Sequence, residues 1–192
     1  MKLRKLFLLI TVLALTFGLT TSAFALGEVF TGGYPASDVS GLKYIISGSP
    51  GSMYDDNIIK PAAYDWNFIS TKVSLTYNSN GAKMSVLVRG SSGSDVVGRM
   101  YPYYRNSLGR LVVDTNLTNI WECTECVGYE DTMNEFSYTD PQKRKVYCHE
   151  MGHALSLAHV TNGNAAVMQQ GRNAPNSPTD YDKANLRLKW GN

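Results

Sequence analysis

Apolar and polar positions alternate in short runs through the first two-thirds of the chain. Residues 42–46, Leu42-Lys43-Tyr44-Ile45-Ile46, predict a first strand, closed by the turn-rich Ser47-Gly48-Ser49-Pro50-Gly51. The period then lengthens. Ile58, Ile59, Ala62, Ala63, Trp66 and Ile69 recur at helical spacing, with Asp55 or Asp56 as cap and Pro61 near the start of the regular helix. Residues 73–77 and 83–88 read as two further strands around the turn Asn78-Ser79-Asn80-Gly81. After a Gly/Ser loop, residues 96–104 resume an extended pattern, and residues 111–114 supply a fifth strand. Pro102 cannot donate to a central ladder, which assigns the fourth strand to a sheet edge. Residues 121–138 are acidic, carry two cysteines and show no periodicity, so they read as irregular.

A second helix begins at Asp140, a plausible N-cap, with Pro141 at its first position. Along it His149, His153, Val146, Glu150 and Leu157 fall on one side, and Tyr147, Met151, Ala154 and Leu155 form a stripe that can pack on a sheet. Every histidine of the chain lies in this stretch or just after it, at 149, 153 and 159. His149 and His153, four apart, project from one helix face near enough to share a metal ion. His159 lies too far along to be a neighbour on that face and must return after a turn. Three imidazoles with one open position describe a catalytic zinc site, because structural sites are closed by four protein ligands. Glu150 stands where a general base would act on a zinc-activated water.

His149-Glu150-x-x-His153 followed by His159 resembles the metzincin zinc endopeptidases, and the short chain and its elements are most similar to the matrixins. The family places glycine where this chain has Ser156. A left-handed turn there costs a non-glycine residue about 1–2 kcal/mol. Metzincins also carry a methionine in a tight turn beneath the zinc, and Met168 matches it by order and distance. Gln170 stands where astacins and serralysins have a tyrosine ligand, which favours the matrixin side. The resemblance implies an α+β fold: a twisted, mostly parallel five-stranded sheet with an edge strand for substrate, two long helices, and a small C-terminal subdomain ending in a helix. It further implies one catalytic Zn2+ on His149, His153 and His159, Glu150 as the base, residues 169–178 along a specificity pocket, and a polypeptide substrate paired with the edge strand. The second, histidine-held zinc of matrixins is not expected, since no histidine is left for it. Their cysteine-based latency is not expected either, because no cysteine precedes Cys123.

The amino-terminal region changes the composition. Lys2, Arg4 and Lys5 precede a largely apolar run to Thr20, and Ala23-Phe24-Ala25 has the small-x-small form of a signal-peptidase site, so residues 1–25 read as a cleaved signal and the protein as secreted. Of 18 basic and 16 acidic residues the signal holds three and none, leaving 15 against 16 and a mature net charge of −1. That balance gives no case for nucleic acid, and no second long apolar run suggests a membrane span. Residues 26–40 read as a short leader and residues 41–192 as one catalytic domain, with an upper part to 159 and a C-terminal subdomain over 160–192, expected to be a monomer. Thr179 caps its last helix, with Tyr181, Ala184 and Leu188 on one face.

The three cysteines, Cys123, Cys126 and Cys148, suggest a loop staple between the first two or from one of them to the third. Glu130 and Asp131 are calcium-capable carboxylates, but without calcium-loop spacing they default to a solvated loop. Two other readings compete with a peptidase. One is a secreted zinc-binding module or toxin-like partner, which would not need Glu150. The other is a zinc hydrolase using Asp180 or Asp182 as third ligand, against which His159 sits at the expected spacing.

Overall fold

The computed structural model describes residues 27–192; the signal-like segment lies outside them. Six strands form one mixed sheet: β1 (Leu42–Ser47), β2 (Leu75–Tyr77), β3 (Met84–Arg89), β4 (Gly98–Arg105), β5 (Leu111–Val113) and β6 (Cys123–Tyr129), in the order β2-β1-β3-β6-β4-β5. β2, β1, β3 and β6 run parallel, and β4 is antiparallel to both neighbours. The sheet is thus mostly parallel, as expected, with one strand more than the sequence suggested.

That extra strand, β6, corrects the irregular reading of residues 121–138. It lies in the middle of the sheet, pairing over Cys123–Tyr129 with β3 and β4. Its inward positions are Thr124, Cys126 and Gly128, small or polar residues that give no hydrophobic alternation. Small size is what the place demands: a Cβ on Gly128 would fall on the Tyr147 ring. Cys126 donates to the Glu150 carbonyl at 3.4 Å, so strand and helix lie close together. The strand also removes the expected staple. Residues three apart on a strand leave from opposite faces, and Cys123, Cys126 and Cys148 are all free thiols.

β4 is likewise not the terminal strand. β5 pairs with it only at Tyr103, Tyr104 and Arg105, leaving the outer side of its first half uncovered. Pro102 turns its carbonyl outward to the Asp114 NH at 2.8 Å, so its missing NH also points away from β6.

The first helical stretch comprises α2 (Ser52–Tyr54), a π-helical turn over Asp55–Ile59 and α3 (Lys60–Tyr64), shorter than the long helix expected; a short α1 (Ala36–Val39) precedes β1. Ile58, Ile59, Ala62, Ala63 and Trp66 are buried as their spacing predicts. α4 (Glu130–Glu135) leads into α5 (Asp140–Ala154), which starts one residue earlier than expected, with Thr139 as cap in a capping box with Gln142. α5 packs on the sheet through Tyr147, Met151 and Ala154 and is tied to the first helical stretch by Trp66 Nε1, which donates to the Cys148 carbonyl at 3.0 Å. Glu130, read as a calcium-capable loop carboxylate, is instead paired with Lys143 at 2.6 Å and bonded by Tyr54.

The residues read as a leader are part of the fold. Val29 forms a bridge with Leu157, Phe30 NH donates to the Ser156 carbonyl at 2.7 Å, and Tyr34 is buried. Lys189, in the last helix α6 (Asp180–Trp190), binds the carbonyls of Phe30, Thr31 and Gly32 at 2.7, 3.1 and 3.0 Å. Among the described residues no helix is long and apolar enough to cross a membrane.

Candidate metal centre

His149 and His153 leave the buried face of α5, and the chain must then reverse to bring His159 back. It does so in a Schellman turn: Leu157 NH bonds the Gly152 carbonyl at 3.0 Å and Ser156 NH the His153 carbonyl at 2.9 Å. The turn needs a left-handed residue, and Ser156 supplies it with φ 67°. The expected geometry is therefore kept without the glycine. Ser156 is fully buried and its Oγ has no hydrogen-bond partner, facing Gly33. Both features cost stability. Ser156→Gly should raise stability by about 1 kcal/mol, since relief of the left-handed strain and of the unpaired hydroxyl exceeds the extra entropy glycine loses on folding. A thermal melt checks this, and a lowered melting temperature would contradict it.

The three rings bring their Nε2 atoms together. His159 Nε2 lies 3.0 Å from His153 Nε2 and 3.1 Å from His149 Nε2. Three nitrogens at about 2.0–2.1 Å from one tetrahedral ion stand roughly 3.3–3.4 Å apart, so the triangle is close to that size. The tautomers agree. His149 Nδ1 and His153 Nδ1 sit 2.8 Å from the carbonyls of Val167 and Leu157, which only accept, so each Nδ1 carries the proton. The Nε2 lone pairs of both rings then face a common point, where they repel each other unless a cation sits between them. Burial holds His149 well below the usual imidazole range and pushes His153 down to about 3; His159 is lowered by burial and by Lys145. Neutral imidazole is the ligating form. These three histidines together could hold a metal ion.

Phe30 stacks on His153 with ring centroids 5.7 Å apart, so the supposed leader walls the site. On the other side Met168 is buried beneath α5 against Gly152, where any Cβ would collide with its sulfur. The methionine turn is held by Asp182, whose carboxylate accepts the NH of Val167 at 2.8 Å, of Met168 at 3.2 Å and of Thr179 at 2.8 Å. Asp182 is thus a support of the site and not the alternative ligand weighed from the sequence; Asp180, the other, is exposed at the start of α6. Nothing in the sequence distinguished the supporting role of Asp182 from that of an ordinary capping-box residue.

Glu150 faces the cleft of about 710 Å3 that the three histidines line together with Phe30, Gly98, Met100 and Lys145. Burial pushes its carboxyl up to about 8, against the opposing pull of Lys145, Arg99 and the Met100 backbone. Residues 98–101 pass directly over it. A Cβ on Gly98 would stand 2.7 Å from Glu150 Oε1 and 2.6 Å from Val146 Cγ1. Tyr103 and Val97 turn their carbonyls to β6, accepting from Glu122 and Tyr129, so strand alternation turns Gly98 and Met100 to the uncovered side. Gly98→Ala should displace Glu150 and cost roughly 10²-fold in any activity that uses it, with metal content unchanged. Full activity in that variant would show that the Glu150 carboxylate is not held against β4.

Of the specificity-loop residues expected over 169–178, Gln170 and Gly171 line the cleft, while Arg172 reaches back over the Tyr138 ring at 5.0 Å. Compared with known proteins, the chain matches no protein-family model and no curated sequence.

Proposed function

We propose that this protein is a secreted zinc-dependent endopeptidase of matrixin-like, metzincin type. The observation that carries the reading is the convergence of three Nε2 atoms, those of His149 and His153 proton-free, on one point beside a buried carboxylate, at the floor of an open cleft. All-imidazole donors suit zinc among the common metals, and three protein ligands leave a position for chemistry. When bound, zinc supplies Lewis acidity that activates water and polarises a carbonyl.

The chain's own residues do the rest. Glu150 accepts a proton from the attacking water and passes it to the leaving amine; burial alone disfavours its ionised form, and a dication on the adjacent histidines would restore it. The Val167 and Leu157 carbonyls fix the ring orientation of His149 and His153. The uncovered side of Gly98 and Met100 offers backbone groups to an extended polypeptide, as in β-augmentation. Export through the amino-terminal signal, cleaved after Ala25, and action as a monomer complete the proposal.

Metal analysis of the purified protein, followed by digestion of a broad peptide library with and without a chelator, tests it. One zinc per chain and chelator-sensitive cleavage of internal peptide bonds are expected. Zinc binding with no cleavage would sink the peptidase reading in favour of a zinc-binding module.

A further inference from the structure

One turn before His149 on α5 stands Lys145, buried yet lining the same cleft as the histidines and Glu150. Its ammonium makes one hydrogen bond, to the Gln169 carbonyl at 3.0 Å. An ammonium carries three donors, and among the described residues no carboxylate lies within ion-pair distance of this one. Burial disfavours its charge more than the Glu150 and Asp182 carboxylates, neither paired with it, favour it. The charge also faces the metal centre across the shared cleft, where it would repel a dication. Tying down one carbonyl does not require a cation; a neutral amide would do it at a smaller desolvation cost. A buried lysine here is therefore unfavourable unless an anion joins it.

The rest of the lining supplies no such anion. Arg99 adds a second cation from β4, and the acidic residues of the cleft are Glu150, committed to proton transfer, and Asp95, exposed at the rim. With a dication on the histidines the cleft is net positive.

From this arrangement we infer that Lys145 is a specificity-determining residue that takes the side-chain carboxylate of a Glu or Asp in a polypeptide lying beside the metal centre. The inference deepens the peptidase reading and rests on it for the polypeptide. The free ammonium donors then gain a charged acceptor, and substrates with a neutral or basic side chain at that position leave the buried cation unpaired.

The test separates binding from cleavage. Acetylated, amidated alanine hexapeptides carrying Glu, Gln or Lys at each position in turn are titrated into zinc-loaded Glu150→Gln protein, with Lys145 kept or changed to Met or Glu. The same peptides are incubated with protein that retains Glu150. At one position Glu should bind about tenfold or more tightly than Gln, a difference near 1.4 kcal/mol. Lys145→Met should abolish that preference without loss of zinc, and Lys145→Glu should transfer it to the Lys peptide. Equal binding of Glu and Gln peptides at every position, or a preference that survives Lys145→Met, overturns the inference. Acid-selective binding without cleavage of any peptide sinks the peptidase reading and leaves the carboxylate site standing. Cleavage without acid preference does the reverse, and failure to bind any peptide overturns both.

Discussion

Glu150→Gln should lower kcat/KM on a cleaved peptide by about 10²–10⁴-fold while the protein still carries one metal ion per chain. The two outcomes come apart because Glu150 is not among the converging nitrogens. The proposed ligand set is His149, His153 and His159, and two of the three rings are oriented by backbone carbonyls that the substitution does not touch. Glutamine keeps the size and the buried position under β4 but cannot accept a proton. It also removes a carboxyl whose ionised form burial disfavours, so folding stability should hold or rise slightly. Metal analysis, a thermal melt and steady-state kinetics on the same preparations check all three. Activity within a few-fold of the parent would mean that Glu150 is not the base, and loss of metal would mean that it supports the ligands.

The site was readable because its chemistry is local. Two histidines four apart on a helix, a carboxylate beside the first, and a third histidine after a turn are all set by the spacing of eleven residues, and the structure brings them together. Met168 was placed by order and distance and lies beneath Gly152, where only a residue without a Cβ lets the helix approach its sulfur. The turn between the histidines was legible in kind but not in tolerance: Ser156 adopts the left-handed conformation expected to need glycine, and its buried hydroxyl goes unpaired.

What escaped the sequence depends on partners far along the chain. β6 lacks a hydrophobic stripe because its inner side must be thin enough for Tyr147 and the Glu150 carbonyl, and Thr124, Cys126 and Gly128 give no strand-like period. β4 was assigned to the edge because of Pro102, and half of that holds: β5 covers the strand only from Tyr103 onward. Phe30 reads as part of a leader until its ring is found stacked on His153, 123 positions later in the chain. Lys145 looks like any helix lysine until the cleft closes around it. Periodicity reports what a residue's own element needs, and these four positions answer to other elements.

Asp182→Asn should weaken metal binding by about 10–100-fold while leaving every ligand in place. Asp182 never approaches the three histidines as a ligand; it acts through the turn. Its two oxygens accept the NH groups of Val167, Met168 and Thr179, and the Val167 carbonyl in turn receives the His149 Nδ1 proton. An asparagine preserves the shape but has one acceptor oxygen, and its amide group would point donors at an NH. The turn must shift, and with it the carbonyl that sets the His149 tautomer and the tilt of its ring. Asp182→Ala goes further, leaving two buried NH groups without partners at about 1–3 kcal/mol each, and the part-buried Thr179 NH besides, enough to threaten a domain of ordinary stability. The informative comparison is therefore Asp182→Asn, measured by competitive chelator titration beside a thermal melt of the metal-free protein. A fall in metal affinity larger than the loss of metal-free stability would assign Asp182 to positioning the metal centre, whereas unchanged affinity would mean that the Val167 carbonyl holds its place without the carboxylate.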